Sequence, residues 1–286
     1  MSLSARLPWW SKIAAKLVLA RLPVGYGVWK RLGLFQHGRM ESPDYALGVA
    51  RKHLGRVDFG RRSEGFVALE LGPGDSVAAG VVMRSLGAAA THLVDAGRFA
   101  REDLQTYREL FRILDLDPAL VEPEPTSFSS LLDRFSIDYQ TDGLKSLRTI
   151  PDASVDLIWS NAVYEHIRLA EVEATTTELR RILRPDGVCS HTIDLKDHLG
   201  GGANHLRVPE RVWESETFAS SGFYTNRLRR LELVSIFERC GFRVEIHTER
   251  RWQKMPVRQS RLEWRFRDLP ADELMISDLE VVLHPA

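Results

Sequence analysis

Three observations predict an α/β fold, a mostly parallel sheet with helices on both faces. Short apolar runs alternate with helical patterns from Ser63 onward. Those runs are apolar on both faces, as a sheet buried on each side requires. The first of them ends in a glycine turn that leads directly into a helix.

Taken in order, the expected strands are Phe66–Leu71, Thr91–Asp95, Ser136–Gln140, Val155–Ser160 and Val188–Asp194. Helices fill the gaps at about Ser76–Leu86, Arg101–Leu114, Gly143–Leu147 and Ala170–Leu183. The last is stopped by Arg184-Pro185-Asp186-Gly187, where proline and glycine turn the chain into the next strand. A long irregular stretch with Gly200-Gly201-Gly202 follows. A helix is then expected over Asn226–Cys240, with Leu228, Leu231, Val234 and Phe237 at helical spacing and Gly241 as its cap. Two more strands, Phe242–Glu249 and Asp278–Leu283, close the chain. There are no repeats or low-complexity segments.

The 286 residues suit one domain plus an embellishment. We expect an N-terminal helical extension over residues 1–60 and a ligand-binding domain over 61–286. Trp9 to Leu22 is apolar but interrupted by Lys12, Lys16 and Arg21, too broken for a membrane span and without a cleavage site. It reads as an amphipathic helix begun after Pro8, with Trp10, Ile13, Ala14, Leu17 and Val18 along one side. A helix capping the main domain is the favoured reading; weak peripheral membrane contact through residues 8–22 is the alternative.

Basic and acidic residues balance at 39 each, so no global field favours nucleic acid, and none is expected as a partner. The two cysteines, Cys189 and Cys240, read as packed thiols of a reducing, cytoplasmic setting; no disulfide framework or zinc spacing exists. The oligomeric state is not expressed in these features.

The strongest local signal is Phe66-Val67-Ala68-Leu69-Glu70-Leu71-Gly72-Pro73-Gly74-Asp75-Ser76. Without β-carbons, Gly72 and Gly74 let backbone approach a ligand, and the helix that follows offers free N–H groups. About twenty residues later the second strand ends in Val94-Asp95, where a carboxylate can accept from both ribose hydroxyls. A nicotinamide enzyme would share that carboxylate. The turn here, however, has Asp75, Ser76 and Val77 where a third glycine would stand, and an anionic Asp75 opposes a pyrophosphate. A cationic sulfonium with an amino-acid tail suits this acidic rim better.

Leu69-Glu70-Leu71-Gly72-Pro73-Gly74 resembles the first motif of the class I S-adenosylmethionine-dependent methyltransferases, and Asp95 stands at that family's ribose-binding position. Val155 to His166 is similar to the family's fourth-strand motif, and Glu178 to Gly187 resembles its approach to the fifth strand. Ser76 departs from a position that is often glycine; serine is small and caps helices well. The resemblance runs from about Phe66 to the C-terminus. It implies a Rossmann-like seven-stranded sheet whose antiparallel seventh strand lies between the fifth and sixth. It also implies S-adenosyl-L-methionine as cofactor, with Gly72 and Gly74 at the methionine moiety, Glu70 orienting its ammonium and Asp95 holding the ribose. Asp142 follows the third strand, where adenine contacts are expected, with a plain turn beside Gly143 as the equal alternative. Asn161, in the fourth-strand motif, completes the cofactor set.

Methyl transfer is an in-line displacement, and an oxygen acceptor needs a base as its proton becomes acidic. His166 after the fourth strand and His191, Asp194 and His198 around the end of the fifth lie where ligands bind in open α/β sheets. Each has a structural reading too. His166 could tie its loop to neighbouring backbone, and His191 could be hydrogen-bonded packing on the core face. Asp194, Asp197 and His198 could hold a divalent metal, but three such groups in five residues also describe a solvated loop, and no metal ligand is assigned. The Gly200–Gly202 run with Asn204, His205, Trp213, Phe218, Phe223 and Tyr224 reads as a lid, or as an excursion packed by its own aromatics.

The expectation is therefore an O-methyltransferase acting on a hydroxylated small molecule, saccharide or lipid-linked glycan. Two other classes stay open: a nicotinamide-dependent oxidoreductase and a catalytically silent binding module.

Overall fold

A computed structural model describes Trp10, Ser11, Ile13 and Leu17 and residues 42–57, 65–114 and 116–286. Its sheet contains β1 (Phe66–Leu71), β2 (Ala88–Val94), β3 (Ile137–Gln140), β4 (Val155–Asn161), β5 (Leu183–Asp194), β6 (Phe242–Arg251) and β7 (Ile276–Pro285). The order across the sheet is β3-β2-β1-β4-β5-β7-β6. β1 through β5 run parallel, and β7 is antiparallel to both β5 and β6. This is the seven-stranded Rossmann-like arrangement the sequence implied.

The principal helices are α1 (Pro43–Leu54), α2 (Ala78–Ser85), α3 (Leu104–Ile113), α4 (Phe128–Arg134), α5 (Val172–Ile182) and α6 (Arg230–Arg239). Alternation along each strand sends successive side chains to opposite faces. Phe66 and Ala68 of β1 join Leu157 and Trp159 of β4 on one face, under Ala46, Val49 and Ala50 of α1 and Val81 and Val82 of α2. Leu69, Leu71 and Ile158 lie on the other face, under Val172 and Leu179 of α5 and Leu233 and Phe237 of α6. At roughly 1.5–3 kcal/mol for each large apolar side chain taken out of water, these two layers hold the sheet in place. Trp159, fully buried, is the largest of them.

Four of the departures from expectation have a local cause. β2 begins at Ala88 rather than Thr91: three alanines carry little strand preference, and pairing with β1 from Phe66 onward decides their conformation. The helix after β1 starts at Ala78 rather than Ser76, because the Ser76 hydroxyl accepts from the Ala78 N–H and stays outside the first turn. Arg184 to Gly187 belongs to β5 as a wide bulge: Val155 pairs with Leu183 and Leu157 with Val188. There the Arg184 guanidinium holds Asp156 at 2.7 and 2.8 Å, and Asp156 accepts the Val67 N–H at 2.7 Å, tying β5 to the start of β1. Finally, α6 begins at Arg230, not Asn226, and buries Leu233, Ile236 and Phe237. Leu231, expected inside, is 52% exposed.

Ile13 and Leu17 of the N-terminal stretch pack on a separate cluster of Leu199, Val208, Trp213, Phe223 and Tyr224. The remainder of the expected helix over residues 8–22 lies outside the described residues. α1, within the stretch expected as an extension, is part of the sheet's own cover. Among the described residues no helix is long and apolar enough to cross a membrane.

Candidate functional site

The turn after β1 is built by two left-handed glycines, Gly72 at φ +74° and Gly74 at φ +69°. A β-carbon on Gly72 would stand 2.5 Å from Val163 Cγ1, so the turns after β1 and β4 touch. Asp95, one residue past β2, grips this turn: one oxygen accepts the Gly74 N–H at 2.9 Å and the other the Ala96 N–H at 2.7 Å. Each oxygen keeps a lone pair for a further donor. Burial pushes the Asp95 carboxyl up to about 6, against the pull of those two N–H groups. Its carbonyl accepts the Gly143 N–H at 2.8 Å, bringing the loop after β3 to the same place. Asp142 in that loop is exposed, and its main chain starts a short helix, Leu144–Leu147, with its N–H donated to Ser146 Oγ.

Glu70 points from β1 toward Trp159, whose indole N–H donates to Oε1 at 3.2 Å. The second oxygen, Oε2, is buried and has no hydrogen-bond partner. Burial raises this carboxyl to about 8, the indole bond only partly offsetting it.

Around the ends of β4 and β5 the expected residues separate into two groups. His191 is fully buried, bonds Ser160 Oγ through Nδ1 at 2.8 Å and stacks on Phe237. Burial lowers its pKa to about 3, so this imidazole stays neutral among the side chains of the second core layer. Its position fits the packing reading. His166 and His198 do meet, their ring centroids 4.6 Å apart. His166 Nδ1 lies 2.8 Å from the Tyr224 carbonyl, which can only accept, so Nδ1 carries the proton and Nε2 is the basic face.

Beside them is Glu165, 2% exposed, whose carboxylate is faced by the N–H groups of Glu165 and Asp194 without a hydrogen bond of full geometry to either oxygen. Burial raises its pKa well above the ordinary range. One ligand atom from each of Glu165, His166 and His198 lies within 4.8 Å of the others.

Asp194 and Asp197 do other work. Burial would raise Asp194, but His198 at 3.7 Å and the N–H and ammonium of Lys196 outweigh it and hold the carboxyl low. Asp197, buried, accepts the N–H groups of Leu199, Gly202 and Asn204 and so shapes the glycine loop instead of reaching toward His198. Trp213, Phe218, Phe223 and Tyr224 then pack on one another, with Arg227 over Trp213.

A third group forms around Asn161, expected in the cofactor set, with partners that sequence reasoning missed. Asn161, at the tip of β4, accepts from Lys52 Nζ at 3.1 Å and donates to the Tyr45 hydroxyl at 3.2 Å. Both partners sit on α1. His53, fully buried on the same helix, bonds Ser190 Oγ at 2.8 Å. Arg56 just beyond it pairs with Glu280 of β7. Burial, with Lys52 and Arg56 adding repulsion, lowers His53 well below its usual value. The Ala46, Val49, Ala50 and His53 spacing marks one helix face and could have revealed α1; its polar partners could not have been found that way.

The sheet order, the antiparallel seventh strand and a glycine turn gripped by the acid after β2 are what the resemblance to the class I methyltransferases implied, with S-adenosylmethionine as the expected cofactor. Residues 96–190, about a third of the chain, match the model of a family described as a methyltransferase domain. No curated protein sequence matches. Among solved structures, the CurJ carbon methyltransferase is 13% identical at a TM-score of 0.47, covering 84% of this chain and 54% of its own. The chain thus spans about half the length of that protein. A SAM-dependent methyltransferase from Methanosarcina mazei is 13% identical at 0.48, covering 78% and 93%. An arsenic(III) S-adenosylmethionine methyltransferase from Chlamydomonas reinhardtii is 15% identical at 0.45, covering 84% and 72%.

The residues present fit that cofactor. Buried and unpartnered, Glu70 Oε2 is a seat for a cationic donor such as the ammonium of the methionine tail. The spare lone pairs of Asp95 suit ribose hydroxyls, and the bare main chain of the glycine turn lies between the two.

Proposed function

We propose that the protein is a methyltransferase that moves the methyl group of S-adenosylmethionine to a hydroxyl of a small molecule or glycan. The observation that carries this reading is the pairing of a gripped glycine turn with a buried carboxylate oxygen left without a partner at Glu70. When bound, the cofactor supplies a methyl on a sulfonium, whose S–CH3 bond breaks with its electrons returning to sulfur as the O–CH3 bond forms.

The chain's own part is binding and positioning. Glu70 takes the ammonium, Asp95 the ribose, and the turn at Gly72–Gly74 the methionine moiety, with Asp142 and Asn161 at the rim. The acceptor lies over the ends of β4 and β5, where His166 and His198 meet and where Tyr45, Lys52 and Asn161 offer hydrogen bonds. The hydroxyl proton leaves toward the basic Nε2 face of His166 or toward His198.

Calorimetry on the full chain with S-adenosylmethionine and with NAD tests the first half: the sulfonium should bind and the dinucleotide should not. NAD binding alone would reverse the assignment to an oxidoreductase. Incubation with cofactor labelled in the methyl group and a panel of hydroxylated acceptors tests the second half. Cofactor binding with no label transferred to any oxygen acceptor would leave a silent binding module.

A further inference from the structure

We propose that Glu165, His166 and His198 form a site for one divalent transition-metal ion at the ends of β4 and β5. Three independent features carry this. The first is proximity: one oxygen and two imidazole nitrogens lie within 4.8 Å of one another, although His198 is 32 residues from His166 in the chain. Ligands sharing an ion at bond lengths of about 2.0–2.2 Å stand about 3–4 Å apart, so closure needs rotations of side chains and no movement of the sheet.

The second is the buried carboxylate. Glu165 is 2% exposed; the N–H groups of Glu165 and Asp194 face its carboxylate, but neither oxygen closes a hydrogen bond of full geometry. A carboxyl left so is costly, and buried charges are ordinarily paired or bound to metal. A cation between it and the two imidazoles supplies what it lacks.

The third is the support around the ligands. A metal-binding imidazole usually donates its other N–H to a carbonyl or carboxylate, which fixes the ring and its tautomer. His166 does this through Nδ1 to the Tyr224 carbonyl at 2.8 Å, which sets the tautomer whose lone pair is on Nε2. The ligand loop is itself pinned. Asn226 donates its N–H to the Glu165 carbonyl at 2.7 Å and its amide to the carbonyls of Tyr164 and Ile167 at 2.9 and 3.1 Å. On the other strand, Asp197 fixes the loop that carries His198 through the Leu199, Gly202 and Asn204 N–H groups.

Two imidazoles and one carboxylate select zinc, manganese, iron(II) or cobalt over calcium and magnesium, which prefer all-oxygen shells. Three protein ligands leave positions open, as in sites where the metal meets a substrate. An acceptor oxygen can take one of them, in which case the ion acidifies the hydroxyl and its proton leaves to water instead of to the two imidazoles; that use rests on the methyltransferase reading, whereas ion binding does not. The set also differs from the Asp194, Asp197 and His198 grouping suggested by sequence spacing, since Asp197 is spent on its own loop.

Full-length protein stripped with a chelator and titrated with zinc or manganese chloride should take up one ion per chain with a dissociation constant in the micromolar range or tighter. Loading with cobalt(II) should give visible absorption of a nitrogen-ligated site. Glu165→Gln, nearly isosteric, and His198→Ala, in a partly exposed loop, should each weaken the affinity at least 10-fold while leaving S-adenosylmethionine affinity unchanged. No uptake by the unaltered chain, or equal uptake by both variants, the mark of an adventitious ion only, would overturn the site. His198→Ala decides the matter if Glu165→Gln does not fold. Failure of the parent chain to bind S-adenosylmethionine would instead count against the methyltransferase reading and leave the metal titration standing.

Discussion

The two halves of the sheet solve the problem of placing polar groups in different ways. On the β2, β1 and β4 side, ligand-facing groups come from short turns: the Asp95 carboxylate accepts the Gly74 N–H across 21 residues, and the Val94 carbonyl accepts that of Gly72. On the β4, β5 and β7 side, groups arrive from remote segments: Lys52 meets Asn161 across 109 residues, and Arg56 meets Glu280 across 224. The first half stores its chemistry in local backbone geometry, while the second stores it in tertiary packing. The first should therefore tolerate loss of distant contacts, and the second should fail with them.

The largest effect is expected where that packing carries charge. Arg56 and Glu280 have side chains only 7% and 8% exposed, and removing one partner of such a pair typically costs about 3–5 kcal/mol. Arg56→Met should fall at the lower end of that range, because Lys52 at 3.5 Å still faces Glu280. Urea unfolding measures the loss, and S-adenosylmethionine affinity of the folded variant should stay within about 3-fold of the parent. A matching collapse of cofactor affinity would erase the distinction between the halves. Asp95→Ala is the reverse experiment. Losing charge-assisted hydrogen bonds of about 1.5–3 kcal/mol should weaken S-adenosylmethionine binding about 10- to 100-fold by calorimetry. Unchanged affinity would remove Asp95 from the site.

How much of this was legible in the sequence follows the same division. Leu71-Gly72-Pro73-Gly74 and Asp95 could be read directly, since positive φ and strand-end carboxylates are demands that short runs of sequence express. β7 was read from the run at Asp278–Leu283, whereas its antiparallel course between β5 and β6 came from the family resemblance. The polar wall of α1 was invisible because nothing near Lys52 or His53 in the chain announces Asn161, Ser190 or Glu280. Helix register was only half right at α6 for a related reason. Of Leu228, Leu231, Val234 and Phe237, Leu228 and Phe237 are buried, but contact with α5 and the sheet turns Leu231 outward and brings Leu233 and Ile236 inside. Likewise, spacing gathered Asp194, Asp197 and His198; Asp194 does meet His198, but loop closure removes Asp197 and the fold of the turn after β4 adds Glu165 and His166.

Glu70 sharpens the comparison through pH. Its folded pKa of about 8 lies above the ordinary carboxylate value, so the folded state holds the proton more tightly than the unfolded chain. The resulting stability is complete below about 4.5 and is lost as pH rises through 8. Glu70→Gln cannot ionise, so its melting temperature relative to the parent should improve as pH goes from 5 to 8.5. Cofactor binding should show the opposite trend in the parent, tightening toward pH 8 as the carboxylate forms opposite the ammonium, and Glu70→Gln should flatten that rise. A parent affinity independent of pH between 6 and 8.5 would mean that Glu70 does not face the ammonium.

The smallest expected effect concerns His191, a histidine that belongs to packing and not to chemistry. Its folded pKa of about 3 lies below the usual value near 6.5, so the unfolded chain takes up the proton first. The stability it supports is complete above about 6.5 and is lost as pH falls toward 3. His191→Asn keeps a polar group for Ser160 and removes the titration, so its unfolding free energy should depend less on pH between 6.5 and 4, measured by urea titration. Its pH–rate profile for methyl transfer near neutrality should superimpose on the parent's, whereas His166→Asn, on the adjoining turn, should distort that profile. If loss of His191 shifted the profile as much as loss of His166, the buried imidazole would be within reach of the acceptor, and the boundary between core and site at the end of β5 would have to be redrawn.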